Sequence, residues 1–141
     1  MRVFLSVFVL FLLASCTAKG PLYTEKANLQ SPETGKSLVY VYRVDTFIAS
    51  SVAATLLDDG REVGVINVGG YISYLANPGT HKLHTDTSRI DAPLYLEMEA
   101  GKTYYLRIDY DAGIWTGTFI ISPRPEAEAL PQLKLTRYQG S

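Results

Sequence analysis

The chain has 141 residues, 47% of them hydrophobic and 19% charged, with a formal net charge of −1. That length fits one domain, and the composition excludes both a disordered chain and a coiled coil. The near-neutral balance leaves no electrostatic footprint for nucleic acid, a single cysteine excludes an internal disulfide and a thiolate-rich zinc site, and two histidines leave few ways to assemble a metal triad.

The first sixteen residues read as an address. Met1-Arg2 is a minimal basic start, and residues 3–13 are apolar apart from Ser6. As a helix that run spans about 16 Å, roughly half of a ~30 Å hydrocarbon core, which predicts a signal-peptide h-region in place of a spanning helix. The run ends in Leu13-Ala14-Ser15-Cys16, where the sole cysteine sits. This resembles the lipobox of bacterial lipoproteins, in which the thiol takes a diacylglyceryl group, the chain is cut before the cysteine, and the new amine is usually acylated. The resemblance implies a signal peptide over 1–15, lipidation of Cys16, and a membrane as partner through that anchor. One acyl chain holds a membrane weakly, at ~0.8 kcal/mol per buried CH₂, whereas two or three hold it stably. Thr17 stands where an Asp tends to retain Gram-negative lipoproteins in the inner membrane, so the resemblance points to the outer membrane, facing the periplasm. An ordinary signal peptide with an incidental cysteine is the competing reading.

Residues 16–36 are expected to be the lipidated cysteine and a flexible tether. The stretch TAKGPLYTEKANLQSPETGK carries two Pro and two Gly and no strand or helix period. Twenty flexible residues reach roughly 25 Å. The sequence leaves open a second arrangement, in which Leu22 and Tyr23 dock on the domain as an edge segment.

From 37 to 138 the chain reads as strands separated by turns. Residues 38–44 are β-branched and aromatic, and 52–57 form a second strand before Asp59-Gly60, a strong hairpin signal. A two-residue turn there sets Leu57 opposite Glu62, Leu56 opposite Val63 and Ala54 opposite Val65. Residues 71–75 follow Gly69-Gly70, and Asn77-Pro78-Gly79 turns the chain into 80–85. Residues 94–99 and 103–110 alternate around Gly101, with Leu94, Leu96, Met98, Tyr104, Leu106 and Ile108 inward. A three-residue loop then pairs Leu96 with Leu106 and Met98 with Tyr104. Residues 116–122 make a further strand, Glu126 to Leu130 one helical turn between prolines, and 132–138 an edge strand or loose tail. The fold expected is all-β: an antiparallel β-sandwich, immunoglobulin- or prealbumin-like, of seven to nine short strands.

Little in this body points to catalysis. His81 and His84 at i, i+3 fall on opposite faces of a strand, so no metal role is assigned; His81 joins Leu83 on the half-buried face and His84 is expected to be solvated. Asp58-Asp59 reads as turn chemistry and Glu97 with Glu99 as a solvated face. No Gly-x-Ser-x-Gly, no Ser-x-x-Lys and no phosphate-cradling loop occur. No catalytic residue and no cofactor are expected, and a hydrolase is disfavoured. The hairpin register gathers Tyr95, Tyr105 and Arg107 on one outward face, with Tyr95 opposite Arg107, as a binding patch for sugar, peptide or protein. Sheet packing explains the same three residues equally.

The order LVYVYR, the Asp-Gly turn with EVGVINVGGY, then NPGTHKL and LEMEAGKTYYLRI resembles a bacterial family of small lipoproteins with a β-sandwich domain of unknown function. The resemblance runs from about Ser37 to Tyr138. It implies an envelope β-sandwich with no established catalytic residues and supplies no substrate. Together with the anchor, the function expected is a non-catalytic binding or accessory module, whose partner would be another envelope protein or cell-wall glycan. A passive structural lipoprotein and a glycan-binding module are the alternatives.

Overall fold

A computed structural model of the chain describes residues 18–24, 31–86, 93–115 and 117–140. The signal peptide, Cys16, part of the tether (17 and 25–30) and Thr116 of the predicted strand 116–122 lie outside the described residues. The strands are β1 (Ser37–Tyr42), β2 (Ala54–Asp58), β3 (Arg61–Ile66), β4 (Gly70–Ala76), β5 (Gly79–Thr85), β6 (Leu94–Met98), β7 (Thr103–Asp111), β8 (Thr118–Arg124) and β9 (Arg137–Tyr138), with one helix, α1 (Glu126–Leu133). They form two sheets, ordered β8-β7-β1-β4-β9 and β3-β2-β5-β6. Two pairings, β1 with β7 and β4 with β9, are parallel and the rest antiparallel. The all-β sandwich is the observed architecture.

The core between the sheets is built by the alternation read from the sequence. Val39, Val41, Leu56, Leu83, Met98, Leu106 and Ile108 are buried together, with Leu94, Leu96 and Tyr104 packed against them. At Asp59-Gly60 the φ angles are 50° and 80°, the two left-handed residues of a type I′ turn. Leu57 pairs with Glu62, but Leu56 then pairs with Gly64 and Ala54 with Ile66. Val63 is the extra residue of a β-bulge, so the expected Leu56–Val63 and Ala54–Val65 pairs do not form.

The larger correction concerns 94–110. β6 pairs with β5 and β7 with β1, in different sheets. The link over 99–102 crosses between sheets: Ser37 Oγ donates to the Glu99 carbonyl at 2.8 Å, the Gly101 N–H to the Lys36 carbonyl at 2.8 Å, and the Glu99 N–H to Tyr104 Oη at 2.8 Å. Both arrangements bury the same side chains, so alternation fixes the face of each strand and not its partner.

A second core covers the outer face of the five-stranded sheet. Every residue of β1 is buried. Tyr40, Tyr42 and Tyr71 pack against Ala129 and Leu133 of α1 and against Tyr23. The segment 18–24 is therefore docked and not a free tether: Tyr23 donates its N–H to the Thr136 carbonyl at 2.9 Å, and Tyr138 donates to the Pro21 carbonyl at 2.7 Å. α1 continues through Pro131 to Leu133, longer than the single turn expected, and the strand after it is only Arg137–Tyr138.

Arg43, the residue after β1, is buried. Its guanidinium donates to the carbonyls of Val52 at 2.7 Å, Ile66 at 3.0 Å and Ala49 at 3.3 Å, and lies 4.6 Å from the centre of the Phe119 ring. Burial pulls its pKa down to about 10. These bonds tie the β1–β2 loop to the end of the sandwich.

Candidate functional site

The most developed polar site lies at one end of the sandwich, in an open cleft of about 520 Å³ lined by Lys36, Asp58, Asp59, Arg61, Tyr74 and His81, among others. Local folding places each of them. Asp58 closes β2 on the inward phase set by Ala54 and Leu56. His81 lies two residues before Leu83 on β5, and Leu83 stands opposite Asp58. Tyr74 reaches in from β4 of the other sheet.

The bonding selects a charge state. His81 Nδ1 lies 2.7 and 2.9 Å from the two Asp58 carboxylate oxygens, and Nε2 lies 2.7 Å from the Asn77 carbonyl. An ionised Asp58 and the Asn77 carbonyl only accept, so opposite them both ring nitrogens act as donors, the pattern of an imidazolium. Its pKa is raised: burial pulls it down, and the Asn77 carbonyl with the Asp58 and Asp59 carboxylates more than offsets this. Tyr74 Oη donates to Asp58 Oδ2 at 3.1 Å; burial and the adjacent carboxylate push that phenol well above its usual range. Asp59 Oδ1 accepts the Lys82 N–H at 3.0 Å, and Lys36 Nζ donates to Asn77 Oδ1.

Asp58, Asp59 and His81 present ligand atoms within 4.8 Å of one another. Both His81 nitrogens are already hydrogen-bonded, to Asp58 and to the Asn77 carbonyl, so a cation would have to displace the Nδ1 proton to use this ring. The geometry suits an ion pair bordering a polar binding cleft. His84, expected to be solvated, is only partly exposed, and its Nδ1 is buried.

Tyr95, Tyr105 and Arg107 do not form one patch. Tyr95 is on β6 opposite Lys82 and 64% exposed. Tyr105 and Arg107 are on β7 in the other sheet, and the opposing pair Tyr95–Arg107 does not exist. Tyr105 stacks on Tyr40 with ring centres 5.6 Å apart and planes at 8°. Arg107 donates to Asp109 at 2.8 Å and lies 3.9 Å from Glu128 of α1. The expected hairpin brought together residues that the sheet crossover separates.

Reading Asp58 only as a turn residue missed the polar cluster. Its contact with His81 spans 23 positions, and that with Tyr74 spans 16. The available signal was an acid in phase with Ala54 and Leu56 on the inward face of a strand.

Comparison with known proteins follows the same stretch of chain. An uncharacterized protein of Haemophilus influenzae is 28% identical over 113 residues, covering 77% of this chain and 67% of its own. No solved structure matches. Residues 33–119, running from before β1 to the first residues of β8 and including the whole polar cleft, match the family described as "Protein of unknown function (DUF2846)". The chain belongs to that family.

Proposed function

We propose that this protein is a lipid-anchored envelope protein, held in the outer membrane by a diacylglyceryl group on Cys16, whose sandwich is a non-catalytic binding or accessory module. The observation that carries the reading is the lone cysteine directly after Leu13-Ala14-Ser15, at the end of the apolar run 3–13. The polar cleft supports the non-catalytic half, because its histidine is committed at both nitrogens. Charges of both signs on its rim (Lys36, Arg61 and His81 against Asp58 and Asp59) suit a polar partner such as another envelope protein or cell-wall glycan. Labelling with radioactive palmitate tests the anchor. The wild-type chain is expected to take label and Cys16→Ala to take none; label retained on the alanine variant refutes the anchor. Cross-linking from intact envelopes tests the module, with one stoichiometric partner expected. Failure to recover one favours a passive structural lipoprotein.

A further inference from the structure

The two ends of the sandwich differ in chemistry. β1 ends at Tyr42 opposite Tyr71, and β4 ends at Ala76 opposite Ser37. The polar cleft, with Asp58, Arg61 and Asn77, is at the Ser37–Ala76 end. The other end carries the β1–β2 loop, the turn between β3 and β4, the β7–β8 connection and the entry to β9. On these sit the four described large apolar side chains that are more than three-quarters exposed: Phe47 at 94%, Trp115 at 94%, Ile114 at 91% and Leu135 at 78%, joined by Ile48 at 57%. Such exposure of large apolar groups, gathered at one end, marks an interaction surface.

The chain itself says what covers it. The Ala18 N–H donates to the Val68 carbonyl at 3.3 Å, at the β3–β4 turn. In that turn the Cβ direction of Gly69 faces Asp45 of the β1–β2 loop at 3.7 Å. Cys16 is two residues before Ala18, so covalent geometry keeps their Cα atoms within about 7.6 Å. A lipid on Cys16 is therefore tethered close to the end of the domain that carries the β3–β4 turn and the β1–β2 loop. Ile48 shares a shallow cavity of about 160 Å³ with Ile108 and Tyr110 of β7, which brings the β1–β2 loop against the strand that leads to Ile114 and Trp115. Arg43 holds the loop in shape through the carbonyls of Ala49 and Val52.

We propose that this end of the sandwich lies against the lipid bilayer, with Phe47, Ile48, Ile114 and Trp115 inserted at the headgroup–acyl boundary and the polar cleft pointing away from it. The inference takes its orientation from the anchor reading and adds a second, non-covalent membrane contact. Aromatic side chains suit that boundary, and an apolar contact supplements an acyl anchor. The seven residues of β4 rise roughly 23 Å, which sets the distance at which the cleft is presented.

Trp115 is the only tryptophan, so its fluorescence reports the tip alone. The full chain, expressed in a host that processes lipoproteins, is placed in phosphatidylcholine vesicles with and without brominated acyl chains, and its palmitate label is read on the same samples. The expected result is a blue-shifted Trp115 emission, quenched by brominated lipid more than by aqueous iodide, with loss of most lipid quenching in the Phe47→Ser/Ile48→Ser variant. Both side chains are exposed, so the circular dichroism melt of that variant is expected to be unchanged. A labelled chain whose Trp115 is quenched by iodide and not by brominated lipid overturns the membrane contact and leaves the anchor standing. An unlabelled chain with lipid-quenched Trp115 overturns the anchor alone. Self-association abolished by the same variant, without lipid quenching, assigns the tips to a second copy and refutes the proposal.

Discussion

Replacing His81 by Gln removes the imidazolium from the cleft and leaves Asp58 facing Tyr74 alone. The ring's side chain is 12% exposed and that of Asp58 5%, so the pair is little screened by solvent. A hydrogen bond to a charged group contributes about 1.5–3 kcal/mol, and breaking a fully buried pair costs about 3–5 kcal/mol. Because the cleft is open on one side, a loss of about 2–3 kcal/mol is expected, or a Tm lower by roughly 8–12 °C for a domain of this size. The loss depends on pH in a defined direction. The folded pKa of His81 is raised above its usual value, so the folded state binds more protons than the unfolded state between the two pKa values, and stability falls there as pH rises. The difference between wild type and His81→Gln is therefore full below about pH 6.5 and shrinks as pH climbs through the folded pKa. Guanidinium unfolding from about pH 5.5 to about pH 9, followed by near-ultraviolet circular dichroism of the tyrosines, measures it; Trp115 at 94% exposure is a poor probe of folding. A difference that is constant across this range, or that grows with pH, refutes the imidazolium assignment.

Three further outcomes are expected. Gly60→Val should destabilise by about 1–3 kcal/mol, because Gly60 holds φ at 80° and no neighbour lies within 4 Å to clash; Gly60→Asn should cost much less, since Asn tolerates that conformation. An unchanged denaturation midpoint for the valine variant would rule out the strained turn. Arg43→Met should cost about 3 kcal/mol or more by orphaning the carbonyls of Val52, Ile66 and Ala49, and should speed proteolysis of the β1–β2 loop; equal stability would mean that water replaces the guanidinium. Tyr95→Ala should change stability by no more than about 0.5 kcal/mol while Tyr105→Ala, which unstacks Tyr40, should cost about 1–3 kcal/mol; equal effects would contradict their separation into two sheets.

What could be read from the sequence was local. Asp59-Gly60 specified its own turn, and the alternation of Leu94, Leu96 and Met98 and of Leu106 and Ile108 specified which side chains face inward. Partners were harder to read. β6 and β7 bury the same residues whether they pair with each other or cross between sheets, so the expected union of Tyr95 with Arg107 rested on a choice that alternation cannot make. The bulge at Val63 sets Gly64 opposite Leu56, and a Cβ on Gly64 would lie only 3.1 Å from Ile72 Cδ1 of β4, a contact between the sheets that no local pattern shows. Tyr23 reads as one apolar residue in a polar stretch, and its burial depends on an aromatic cluster assembled from β1, β4, β7 and β9. The Asp58–His81 pair joins strands that are neighbours only in the folded sheet.

The anchor at Cys16 is tested most directly by mass spectrometry of the N-terminal peptide of the protein extracted from bacterial envelopes. A chain that begins at Cys16 and carries a thioether-linked diacylglyceryl group, with an acyl chain on its amine, is the expected result. A chain that begins elsewhere, or one in which Cys16 has a free thiol, contradicts it.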